Sequence, residues 1–147
     1  MSEKELQEKI MVYRIVESRI DALIRQRDLF LNKIIELQNT IASVDEIAKS
    51  KEEILFPIGS ESYSFGKVVD KDKIIVEIGA GIALEKSFEE AKEIIRKRKA
   101  DIETAVRAIQ EDVQKLSQSL SSLELEIQSL AEKKEAGWNV RIFKRQN

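Results

Sequence analysis

Gly79-Ala80-Gly81, with Leu84 three residues on, comes nearest in this chain to a loop that could cradle a phosphate. A dinucleotide-binding turn needs a third small residue that closes the loop straight into a helix, inside a βαβ unit. Leu84 stands in that place, and Glu85 and Lys86 follow it. A hairpin turn with unusual backbone angles accounts for the glycines without a ligand. Arg96-Lys97-Arg98-Lys99 is a second candidate, a run of cations of the kind that grips a phosphate backbone. Glu89, Glu90 and Glu93 lie close by and no aromatic residue is interleaved, which favours a solvated, self-balanced helix face. The chain has neither histidine nor cysteine, so imidazole and thiol chemistry have no bearer. The many carboxylates sit beside lysines, as surface ion pairs do. The expectation is a protein that is not an enzyme, with no catalytic, cofactor or metal site.

Bulk properties narrow the classes further. The net charge of −2 and pI near 5.5 argue against general attraction to nucleic acid or to an anionic membrane. No run approaches the roughly 18 apolar residues that span a bilayer. Glu3, Lys4, Glu5 and Glu8 leave no apolar core for a secretory signal, and a cytoplasmic location is expected. Abundant Ile, Lys and Glu without Cys or His point toward a thermophile. Charged residues make up 35% and aromatics 5%, a balance that suits long helices better than a thick globular core.

Four segments must position whatever function there is: 1–50, 51–86, 87–136 and 137–147. The first contains no Gly or Pro. Steps of three and four from Leu6 reach Lys9, Tyr13, Val16, Ile20, Leu23, Arg27, Phe30, Ile34, Leu37, Ile41, Val44 and Ala48. The third segment repeats this from Phe88 through Lys92, Ile95, Lys99, Ile102, Val106, Ile109, Val113, Leu116, Leu120, Leu123 and Ile127 to Leu130. Apolar seams sustained over this many heptads signal a coiled coil. Ser2 with Glu5, and Ser87 with Glu90, have capping-box spacing, and Gly137 stands where a helix-ending glycine belongs. Each helix is then roughly 65–75 Å long, at about 1.5 Å per residue. The seams are equally long, which favours an intrachain antiparallel hairpin over two parallel coiled coils with other chains, and such a hairpin pairs positions whose numbers sum to about 136. Lys9 then faces Ile127, Arg27 faces Ile109, Lys92 faces Val44 and Lys99 faces Leu37. No seam cation meets another, and each can lay its stem on an apolar partner with its head in water.

Between the helices the period changes to that of strands. Ile54 to Ile58, Tyr63 to Val69, Lys73 to Ile78 and Ile82 to Lys86 are short runs rich in β-branched and aromatic residues. Gly59-Ser60-Glu61-Ser62, Asp70-Lys71-Asp72 and Gly79-Ala80-Gly81 separate them, and the only proline, Pro57, suggests an edge or a bulge. Two β-hairpins result. Hairpins of this size are marginal alone, and their edges invite pairing. Ile54, Phe56, Ile58, Phe65, Val68, Ile74, Val76, Ile78 and Ile82 are therefore assigned to oligomerisation, in a β-barrel closed by strands from other subunits. The expected class is α+β, mainly helical: a long antiparallel coiled-coil hairpin with two central β-hairpins.

The tail supplies the remaining candidate. Trp138, Val140, Ile142 and Phe143 lie among Asn139, Arg141, Lys144 and Arg145, past the end of the paired seam. Leu6, Ile10, Met11 and Tyr13 from the first turns and Leu130 from the last share that end of the hairpin. Apolar groups rimmed by charge mark an interaction site, and flexible Met and aromatic surfaces suit varied partners. A tail packed back on the coil is the plainer alternative.

Helix, two hairpins, helix, with Ile54-Leu55-Phe56-Pro57-Ile58-Gly59 and the stretch from Val76 through Gly79-Ala80-Gly81 to Ala91, resembles the archaeal alpha-type prefoldins over essentially the whole chain. Two hairpins match the alpha type, since beta subunits of that family carry one. The resemblance implies an α2β4 hexamer with prefoldin beta subunits and a body of β-barrels. It also implies an ATP-independent holdase that captures unfolded polypeptides at coiled-coil tips and delivers them to a group II chaperonin. From the residues alone two rivals stay open: a coiled-coil scaffold without client binding, and a nucleic-acid-binding helical arm.

Overall fold

The computed structural model describes the backbone of residues 2–146 and the side chains of residues 3–135. Helix α1 (Ser2–Lys49) is followed by strands β1 (Ile54–Gly59), β2 (Ser62–Gly66), β3 (Ile74–Gly79) and β4 (Ile82–Lys86), then by helix α2 (Phe88–Gln146). The chain divides into two compact units. One, purely helical, joins residues 1–29 to residues 105–147; the other, residues 30–104, carries both hairpins.

The seams explain the helices. Every seam position named above is covered except Ala48, which is exposed while Ile47 beside it is half-buried. The three–four stepping drifts against a true helical repeat, and the last turn of α1 buries the larger side chain. In the helical unit Leu23, Val106 and Ile109 are buried; in the hairpin unit Leu37, Val44, Phe88, Ala91 and Ile95 are. The antiparallel register holds in each unit. Lys9 reaches Glu126 and Lys134 reaches Glu3 in the first, and Lys92 reaches Asp45 in the second, every pair within one of the expected sum.

The helix ends follow local chemistry. The Glu90 N–H donates to the Ser87 hydroxyl at 3.1 Å, which makes Ser87 the N-cap of α2. Ser2 is the first residue of α1, and its side chain lies outside the described residues. Gly137 does not end α2, which runs on to Gln146. A lone glycine costs a helix only about 1 kcal/mol against alanine, and no proline follows to enforce the stop. At the far end of α1 the Ser50 N–H donates to the Glu46 carbonyl, and the Lys71 ammonium donates to the Ser50 carbonyl. A cation there offsets the negative end of the helix dipole and pins the β2–β3 connector.

Each hairpin is a separate antiparallel two-stranded sheet, and the second repeats the first at an offset of 20 residues. Ile54 pairs with Gly66 as Ile74 does with Lys86, Pro57 with Tyr63 as Glu77 with Ala83, and Gly59 with Ser62 as Gly79 with Ile82. The register shifts at the same place in both, leaving Ile58 and Ile78 as bulge residues. Gly59 and Gly79 both have φ +117°, which L residues rarely adopt. Two-residue turns follow, with φ +48° and +61° at Ser60 and Glu61, and +52° and +74° at Ala80 and Gly81. Positive φ at both central positions matches the twist of a tight hairpin.

Candidate functional site

The hairpins present two faces, and the register decides which residues share one. Directly opposed residues in an antiparallel pair point to the same side. Phe65 therefore shares the face of Leu55, its partner, and not the face of Phe56. The residues assigned above to oligomerisation therefore do not share one face. Ile54, Phe56, Val68 and Ile74 are half-buried, and Val76 is buried, all within the chain itself. Ile58, Phe65, Ile78 and Ile82 are exposed, Phe65 by 76%. Leu55, Tyr63, Ile75 and Leu84, which the sequence reading passed over, are exposed too, Ile75 by 72%. Strict alternation along β1 and β3 was the signal that could have separated 54, 56, 74 and 76 from 55 and 75.

The two repeats differ in chemistry. The outward side of the first hairpin is uncharged, with Leu55 opposite Phe65 and Pro57 opposite Tyr63. Corresponding positions of the second place Ile75 opposite Glu85 and Glu77 opposite Ala83. Glu85 forms a 3.7 Å ion pair with Lys73. The Arg98 guanidinium donates to the Glu77 carbonyl and so ties the second hairpin to α2.

In the helical unit, Leu6, Ile10, Tyr13 and Leu130 are half-buried on the helix pair, whereas Met11 is 65% exposed. Val12, Ile15 and Leu125 are also exposed and were not among the expected residues. The side chains of Trp138, Val140, Ile142 and Phe143 lie outside the described residues. The seam cations do not end in bare water. Lys9 meets Glu126 at 2.5 Å, Arg27 meets Asp28 at 3.2 Å and Lys99 meets Glu103 at 3.8 Å. Lys92 meets Glu89 at 2.8 Å and Asp45 at 2.9 Å. The hydrogen bonds that Lys9 and Lys92 donate to Glu126, Glu89 and Asp45 raise the pKa of both lysines, Glu89 contributing most to the shift of Lys92. The Lys92 ammonium in turn holds the Asp45 carboxyl below its ordinary value.

The two phosphate-binding candidates resolve into structural parts. Gly79-Ala80-Gly81 is the turn between β3 and β4. Within the basic run, Arg96 pairs with Glu93 at 2.6 Å, and Arg98 and Lys99 make the contacts given above. Among the described residues no acidic group is arranged to hold a metal ion, and no helix is long and apolar enough to cross a membrane.

Known proteins give the architecture its context. The family model for the prefoldin subunit matches residues 4–133. Prefoldin subunit alpha of Pyrococcus horikoshii is 29% identical over 133 residues, covering 88% of this chain and 90% of that protein. Prefoldin subunit alpha of Methanobrevibacter smithii is 30% identical over 122 residues, covering 78% and 84%. A chain from the cryo-EM structure of filamentous PFD from Methanocaldococcus jannaschii has the same fold, with a TM-score of 0.70 at 23% identity, over 79% of this chain and 98% of that one. With a family match across nearly its whole length and archaeal alpha subunits as its relatives, the chain belongs to the prefoldin family of chaperone subunits, in its alpha type.

Proposed function

We propose that the chain is the alpha subunit of an ATP-independent holdase. It docks through both hairpins with single-hairpin beta subunits, two alpha and four beta chains to the assembly, in the cytoplasm. The observation that carries this reading is the uncovered apolar side of the hairpins, Leu55, Ile58, Tyr63, Phe65 and Ile75. Exposed strands with such a face are stable when other strands cover them. Ile54, Phe56, Val68, Ile74 and Val76 support that surface from within the chain, while Ile78 and Ile82 extend it.

The helical unit captures unfolded polypeptides. Met11 offers an adaptable thioether surface, the half-buried Leu6, Ile10, Tyr13 and Leu130 lie on the same helix pair, and Trp138, Val140, Ile142 and Phe143 add the tail. Weak contacts on several arms combine through effective concentration, which permits both capture and release, and the client passes to a group II chaperonin.

Two measurements test the reading. The mass of the full chain is determined with and without a co-expressed single-hairpin subunit, and a joint assembly is expected; a well-behaved monomer in both cases refutes it. Light scattering of a denatured client then follows capture. Removal of residues 137–147 should weaken suppression of aggregation while the assembly mass, less the deleted segments, is retained. Unchanged suppression excludes the tail from capture.

A further inference from the structure

One face of α1 carries a pattern that neither the hairpins nor client capture uses. Glu8, Val12, Ile15 and Arg19 follow each other by four, three and four residues, the stepping of the buried seam, but one stripe to the side. Such spacing keeps side chains on one helix face. All four are exposed, Val12 by 47% and Ile15 by 62%, and among the described residues neither Glu8 nor Arg19 is ion-paired. An apolar centre is thus flanked by an acid on its N-terminal side and a base on its C-terminal side.

We propose that this face docks a second copy of the chain, α1 against α1 and antiparallel, about a two-fold axis between Val12 and Ile15. Val12 then meets the partner's Ile15, and Glu8 meets the partner's Arg19, each contact occurring twice. An isologous interface requires this self-complementarity. Parallel docking sets acid against acid and base against base, so charge order selects the direction. The stripe continues with Glu5 and Ala22, which face each other across the same axis. The patch is short and the contact weak for a single pair of chains, but two copies held on one assembly strengthen it through effective concentration. The inference rests on the pattern of α1 and not on the client-capture reading.

The chain lacks cysteine, so introduced thiols are unique. Full-length Glu8→Cys and Arg19→Cys chains are mixed, assembled and treated with a short thiol cross-linker. The mixture is expected to give covalent dimer several-fold more efficiently than Glu8→Cys alone. Introducing Glu8→Arg into the cross-linking partner that carries Arg19→Cys should lower the yield several-fold, since attraction becomes repulsion at the one remaining charged pair. A chain with both charges exchanged, Glu8→Arg with Arg19→Glu, should associate with its own copies as the natural chain does, followed by sedimentation, and should reject the natural chain. Far-ultraviolet circular dichroism checks that each exposed substitution leaves the helix formed. Equal cross-linking of Glu8→Cys with itself, or indifference to charge reversal, overturns the proposal. If Val12→Asp with Ile15→Asp abolishes client capture while no copies cross-link, the face is a client site and the proposal is equally overturned.

Discussion

The ring of Phe56 lies across the backbone of Gly66: a β-carbon on Gly66 would sit 2.8 Å from Phe56 Cε2 and 3.0 Å from Cδ2. An aromatic ring over a strand glycine covers the backbone that the glycine leaves bare. Twenty residues on, Val76 and Lys86 occupy the same two places. The shorter valine leaves room for a full side chain diagonally across from it. Gly66→Ala should therefore displace the ring and destabilise the protein by about 1–3 kcal/mol. Adding Phe56→Val should recover part of that loss, and a double-mutant cycle by chemical denaturation reads the coupling.

The first turn holds two non-glycine residues at positive φ, where the second has Ala80 and Gly81. Left-handed backbone costs an L residue about 1–2 kcal/mol, part of which is returned by the extra freedom glycine has when unfolded. Glu61→Gly should stabilise the protein by about 0.5–1 kcal/mol, and Gly81→Glu should do the opposite. Denaturation midpoints with unchanged slopes check both.

The Lys92 bridge makes a pH prediction. Asp45 is lowered from 3.8 on folding, so its contribution is present above 3.8 and lost as pH falls through the folded value. Lys92 is raised from 10.5, so its contribution is present below 10.5 and lost as pH rises through the folded value. The Tm difference between the natural chain and Asp45→Asn should thus be level from about pH 5 to 9 and shrink in acid. A difference that grows on acidification contradicts the assignment.

Ala91 is fully buried where α2 begins, among Phe88 and Ile95 on the same helix face. Ala91→Leu should overpack that layer and cost about 1–3 kcal/mol. Ala91→Ser adds almost no volume and should cost less. Thermal unfolding ranks them.

Leu55 and Phe65, paired and exposed, offer a separation of folding from assembly. Leu55→Lys with Phe65→Glu should leave helicity intact, because neither side chain supports this chain's own core. Assembly with the single-hairpin subunit should fail, as native mass measurement would reveal.

Much of this architecture is legible in the amino-acid sequence. Heptad stepping picked out the covered positions from Leu6 to Val44 and from Phe88 to Leu130, and the matching seam lengths yielded the register that joins Lys9 to Glu126. Apolar burial along a helix is periodic, so the spacing of apolar residues carries it. Faces within the hairpins were harder. A face depends on which residue stands opposite, and Phe65 could be placed only once it was known to pair with Leu55. The 20-residue repeat was hidden because its two copies share a backbone plan, a bulge and a glycine but few side chains. Gly137 misled because a residue that commonly ends helices does so only when its surroundings agree.

The ion pairs at the helix interface carry one more consequence, for alignment. An apolar seam repeats every seven residues, so a slip of that length still sets grease against grease. The charges do not repeat. Slipped one way, Lys9 would leave Glu126 for Lys133, a cation; slipped the other, it would face Ser119, and Glu3 would face Ile127. Lys9 and Glu3 thus act as a vernier, marking the one offset among several nearly equal ones at which this chain's own two rods agree.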